Sequence, residues 1–122
     1  MASFTVTIDE YNNQPPSSVG DGSESTGYGE TLVYTRAMFT TNTVPPYADP
    51  EGDAALELKV TSLPAEGELQ YNGAGISVNA IIPFSDIDLG LFTYVPDNNN
   101  QSAYNTTFDF EISDAGSGIF VG

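Results

Sequence analysis

The sequence predicts an all-β fold, a sandwich of short strands, and three observations carry that prediction. Apolar and polar residues alternate with a period of two over several short stretches, the pattern of strands with one buried face. Clusters of Pro, Gly, Asn and Asp punctuate the chain about every 8–12 residues, the spacing of a sandwich. The one stretch with a helix-start pattern is residues 85–88.

Taken in order, residues 3–8 set Phe4, Val6 and Ile8 on one face and Ser3, Thr5 and Thr7 on the other, which predicts a half-buried strand. Residues 12–30 are poor in large aliphatics and rich in turn formers such as Pro15, Pro16, Gly20 and Gly22. They read either as a linker between an N-terminal arm and the main module or as a long surface loop, and the arm is preferred. The expected organisation is an arm at 1–11, a linker or loop at 12–30 and a sandwich at 31–122. A strand is expected over 31–40, dense in β-formers and apolar on both faces, hence buried on both sides or bulged near Arg36. Pro45, Pro46 and Pro50 keep 41–50 a loop. Leu56, Leu58 and Val60 then alternate with Glu57, Lys59 and Thr61, a strand with one wet face. Short strands at 68–71 and 75–78 flank Asn72-Gly73, a strong two-residue hairpin signal. Ser85-Asp86-Ile87-Asp88 reads as an N-cap and one helical turn, ended by Gly90. Phe92 and Tyr94 resume strand. The clearest strand is 107–112, with Phe108, Phe110 and Ile112 inward and Asp109 and Glu111 outward, and 119–121 closes the series.

Composition narrows the function classes. The 122 residues are one domain's worth of chain. Cys and His are both absent, which removes disulfides, thiolate metal sites, Cys nucleophiles and the usual general base. Seventeen acidic residues face only Arg36 and Lys59, for a net charge of −15. Such a surface repels nucleic acid and anionic lipid, whose binding needs Lys and Arg. No membrane-spanning run exists, and the N-terminus lacks a basic n-region and an apolar h-region. The chain therefore reads either as a product used without export or as a piece of a longer protein, and a complete small protein is expected. With 17 carboxylates, some pair meets glycosidase spacing by chance. Lys59, on the polar face of its strand beside Glu57, reads as one half of a surface ion pair. A non-enzymatic protein is expected.

Several stretches come in a familiar order: Asp49-Pro-Glu-Gly-Asp53, Leu63-Pro-Ala-Glu-Gly-Glu-Leu69, Asn72-Gly73, the run from Ile82 to Asp97, and Phe108-Asp-Phe-Glu-Ile-Ser-Asp114. Together they resemble a cadherin-like repeat of the kind found in chondroitin-sulfate-proteoglycan repeats and bacterial surface adhesins. Asn13-Gln-Pro-Pro16 resembles the junction that opens such repeats. The resemblance implies a Greek-key, immunoglobulin/cadherin-like β-sandwich, usually in tandem, with acidic loops that often bind calcium. Here there is one copy, residues 19–29 are a longer insertion than the pattern has, and Glu51 stands where Asp or Asn is common. A single copy without a leader looks like a phage virion part, a capsid decoration or fibre protein assembled in host cytoplasm. Its partners would be a capsid or tail protein and copies of itself. The alternative is an adhesive module of a bacterial surface protein, extracellular, binding a glycan or protein.

The acidic loop is the best candidate site. Calcium takes six to eight oxygens at about 2.3–2.6 Å. Asp49, Glu51 and Asp53 offer three carboxylates from one turn, and the family pattern brings Asp114 from a distant loop. The competing reading is that Asp and Gly simply favour turns. Asp86 and Asp88 are better explained by a capped helical turn. Phe4, Val6 and Ile8 need a partner sheet, either this module's own or a neighbouring subunit's, and strand addition is the expected assembly route. Deleting residues 1–11 should then leave a folded monomer that no longer attaches to its scaffold; a chain that fails to fold in circular dichroism would refute that division.

Overall fold

A computed structural model describes residues 2–7 and 13–122. Among these residues the strands form two antiparallel four-stranded sheets, sandwich-like, with two single-turn helices. One sheet orders β1 (Leu32–Val33), β6 (Phe92–Val95), β3 (Glu68–Tyr71) and β4 (Ala74–Gly75). The other orders β5 (Ile81–Pro83), β2 (Ala55–Ser62), β7 (Asp109–Asp114) and β8 (Phe120–Val121). The expected all-β class is observed.

Alternation explains the core. Leu58 and Val60 of β2, Ile82 of β5 and Ile112 of β7 meet Leu69 of β3 and Phe92 and Tyr94 of β6, all buried. A fully buried aliphatic or aromatic side chain stabilises the fold by about 1.5–3 kcal/mol. Phe39 sits at the centre of the aromatic part, with ring centroids 5.1 Å from Tyr34, 5.2 Å from Phe110 and 6.1 Å from Phe92. At Asn72-Gly73 both residues have positive φ, 54° and 80°. That is the backbone a two-residue hairpin between twisted strands requires.

Three local expectations are corrected. The strand over 31–40 is only β1, followed by the helical turn α1 (Arg36–Phe39). Arg, Ala and Met are strong helix formers, and the turn resolves the two-faced apolar pattern by sending Phe39 into the core. Arg36 then reaches outward, donating from Nη2 to Asp88 at 2.9 Å and from Nη1 to the Ala55 carbonyl at 2.9 Å, and lies over the Phe84 ring. The second helix, α2 (Phe84–Asp88), has Pro83 rather than Ser85 at its N-cap. Leu56 is exposed because the β2–β7 register shifts between Ala55 and Glu57, which turns Ala55 inward instead. Lys59 forms the expected ion pair, and its partner is Glu111, opposite it across the β2–β7 ladder, at 3.7 Å.

The N-terminal strand expected over 3–8 is also corrected in its described part. Residues 3–7 join no ladder, and Phe4 and Val6 are 96% and 76% exposed. Ile8 lies outside the described residues. Alternation specifies a face but supplies no partner edge, and no strand among the described residues pairs with them. Residues 13–21, by contrast, are laced onto the loop before β2. Ser17 and Ser18 amides donate to the Ala48 carbonyl, Ala48 returns a bond to Ser18, and Asp21 and Val44 exchange two more.

Gly67 tests this packing. It has φ +77°, and a Cβ there would run into the Tyr94 hydroxyl, which donates to the Glu66 carbonyl at 2.8 Å. Gly52 has φ +75° with open space around it. Both Gly→Ala changes carry a left-handed backbone penalty of about 1–2 kcal/mol. Chemical denaturation should show Gly67→Ala losing clearly more stability than Gly52→Ala; equal losses would mean that the Tyr94 contact is not tight.

Candidate metal centre

The acidic loop closes on itself through one carboxylate. Asp49 Oδ1 accepts the amides of Glu51 at 3.0 Å and Asp53 at 3.1 Å, and the Gly52 amide donates to the Asp49 carbonyl at 3.0 Å. This is the local side-chain-to-backbone turn that Asp favours. It points the other Asp49 oxygen, Oδ2, away from the turn. The β2–β7 ladder sets Ala55 opposite Asp114, and the Ala115 amide donates to the Ala54 carbonyl at 3.1 Å. The ladder therefore delivers Asp114 directly beneath the loop.

Asp49, Glu51, Asp53 and Asp114 come together as the sequence predicts, with one oxygen from each within 4.8 Å of the others. Two ligands on one calcium ion can be no more than about 5 Å apart at calcium–oxygen distances of about 2.3–2.6 Å. The set fits that limit. Asp114 is wholly buried. Its Oδ1 accepts the Ser117 amide at 3.1 Å and the Ser117 hydroxyl. The Oδ2 atoms of Asp49 and Asp114 are buried and receive no donor. A buried carboxylate oxygen without a donor calls for a proton or a cation.

Electrostatics agree with the geometry. Burial pushes the Asp49 carboxyl above its ordinary range, a proton shared with Asp114 and the Asp114 charge push the same way, and the two amide donors only partly offset them. At Asp114 burial also pushes upward, but hydrogen bonds from Ser117 and from Asp49 outweigh it and hold this carboxyl low. Of the two carboxyls, Asp49 is therefore the one pushed toward its protonated form. Tyr47, whose hydroxyl donates to the Asp53 carbonyl at 3.1 Å, is pushed up to about 12 by burial and by the charges of Asp49, Asp114 and Asp53.

Sequence reasoning missed the second layer around these ligands. Asn13 Nδ2 donates to Asp53 Oδ2 at 2.9 Å, and the Gln14 amide donates to Glu51 Oε1 at 2.8 Å. Asn13 also lies against Gly116, beside the β7–β8 turn. The Asn13-Gln-Pro-Pro16 junction motif was the available signal for this, but it gave no partner for Asn13. The second acidic pair is spoken for, since Asp86 accepts the Tyr71 hydroxyl and Asp88 holds Arg36. No helix among the described residues is long and apolar enough to cross a membrane. Comparison with protein-family models, curated proteins and solved structures finds no match to this chain.

The raised Asp49 fixes the sign of a pH effect. A carboxyl that holds its proton more tightly when folded contributes stability fully present below its unfolded range, and loses it as pH rises through the folded value. With a chelator present, acidification from neutrality into the carboxylate range should raise the melting temperature. Asp49→Asn should flatten that gain; an unchanged gain would show that the rise comes from the general relief of negative charge.

Proposed function

We propose that this chain is a non-enzymatic structural module, a Greek-key, cadherin-like β-sandwich closed at one end by a calcium ion. One observation carries the reading: two buried carboxylate oxygens without donors, on Asp49 and Asp114, stand beside Glu51 and Asp53 within the reach of a single ion. Carboxylates, carbonyls and water are calcium's ligands. An ion held there neutralises charge at the most crowded acidic point of a chain of net charge −15 and clamps three segments together. These are the loop before β2, the turn after β7 and, through Asn13 and Gln14, the N-terminal segment.

The role we propose is that of a virion component, decorating a capsid or fibre, with a capsid or tail protein and copies of itself as partners. The exposed Phe4 and Val6 support an attachment role, and the scarcity of basic residues supports partners other than nucleic acid and anionic membrane. Capsid and portal genes beside its reading frame would accord with this. A multi-repeat reading frame with a secretion signal would favour the adhesive module instead.

Calcium at about 100 times its Kd should stabilise the fold by about 2.7 kcal/mol, several degrees in melting temperature. Asp114→Asn should keep the fold and weaken calcium binding about tenfold or more, measured by calorimetric titration. Identical melting in calcium and in chelator would overturn the metal site.

A further inference from the structure

We propose that the groove between residues 21–28 and 100–110 seats the N-terminal segment of a second copy of this chain, added as a strand with Phe4 and Val6 pointing in. The inference rests on the reading of the protein as an interaction module and names its acceptor surface and partner.

The groove encloses about 910 Å³. Its floor is aromatic, formed by Tyr34, Phe39, Tyr94, Phe108 and Phe110. One wall has strand periodicity without a strand partner. Tyr104, Thr106 and Phe108 are half-buried while Ala103, Asn105 and Thr107 between them are exposed. β2 pairs with β7 only as far as Asp109, and β8 only at Ile112 and Ser113. No backbone–backbone hydrogen bond among the described residues engages 103–107. The Thr106 hydroxyl in this wall is buried without a partner. An extended stretch with open backbone groups beside an apolar trough is the acceptor half of strand addition.

The same chain carries a matching donor. Residues 3–7 alternate apolar and polar side chains, span about 17 Å when extended, and leave Phe4 and Val6 almost wholly exposed. Charge favours pairing along one wall. Residues 2–7 carry no charged side chain, and neither do residues 98–108. The groove's carboxylates, Asp21 and Glu24 on the opposite wall and Asp109 at one end, meet no acidic side chain from an inserted 2–7 segment. Inserting Phe4 and Val6 removes two exposed apolar side chains from water and covers the half-buried Phe108 and Phe110.

Full-length chains test this by sedimentation at micromolar concentration, run both in calcium and in chelator. The wild type should associate. Phe4→Asp/Val6→Asp, which lacks the donor, and Thr106→Arg, which obstructs the acceptor, should each weaken association about tenfold or more while melting cooperatively. Mixing the two variants should restore a 1:1 complex, because one retains an intact groove and the other an intact arm. If Thr106→Arg unfolds, Ala103→Arg on the exposed rim takes its place. A monomeric wild type, association that survives both substitutions, or a mixture that stays monomeric would each overturn the proposal. Association that persists in chelator supports it even if the calcium site fails.

Discussion

A carboxylate shut away from water, Asp114, is the constraint on which the arrangement of this protein depends. It is wholly buried at the end of β7, and its position follows from the β2–β7 ladder, the longest pairing among the described strands. A charge at such a place must be satisfied by donors or by a counter-charge. Ser117 supplies two donors to one oxygen. The other faces Asp49, whose own Oδ2 also lacks a donor. The β2–β7 ladder and the hydrogen bonds of Asn13 and Gln14 thus bring the acidic loop, the β7–β8 turn and residues 13–14 to one end of the sandwich, where they share an unmet requirement for positive charge.

The opposite demand shapes the middle of the molecule. Phe39 is brought in by a helical turn that Arg36, Ala37 and Met38 favour locally, and Arg36 anchors that turn. Half of the chain's basic side chains is therefore spent inside the fold, tying α1 to α2 and to the start of β2. Lys59, the other, is engaged by Glu111 and lies 4.6 Å from the Phe120 ring centroid. With both cations occupied, the acidic end has no protein counter-charge to recruit. A proton on Asp49 or a divalent cation are the remaining means of neutralising it.

What could be read in the sequence was what local pattern determines. The Asn72-Gly73 hairpin, the inward Phe110 and Ile112 of β7 and the turn ended by Gly90 depend on residues within a few positions of one another, whereas the strand expected over 107–112 runs over Asp109–Asp114. The convergence of Asp114 on Asp49–Asp53 was legible only through the order of motifs, since nothing local joins residues 65 positions apart. Other features depended on tertiary contacts and were not legible. The strand over 31–40 gives way to a helical turn whose Arg36 is held by Asp88, a contact 52 positions away that no local pattern displays. Leu56 was displaced by a bulge whose cause is the register of a distant strand. The ties from 13–21 to the loop before β2 are mainly backbone hydrogen bonds, which leave little mark on side-chain composition.

Charge distribution decides where such a chain can meet another protein. A uniformly acidic surface resists self-association at every point, with a force that screening by salt only shortens to about 8–10 Å. Here the charge is unevenly spread. The wet faces of β2 and β7 and the acidic end carry carboxylates, while residues 2–7 and 98–108 carry none. Those two stretches also leave Phe4 and Val6 exposed, Tyr104 and Phe108 half-covered, and backbone groups outside any ladder. Repulsion elsewhere then acts as a filter on orientation, penalising encounters that bring acidic faces together and leaving the uncharged edges as the route of approach. On that view the acidity of this protein and its open groove belong to one design, with the first limiting which contacts the second can make.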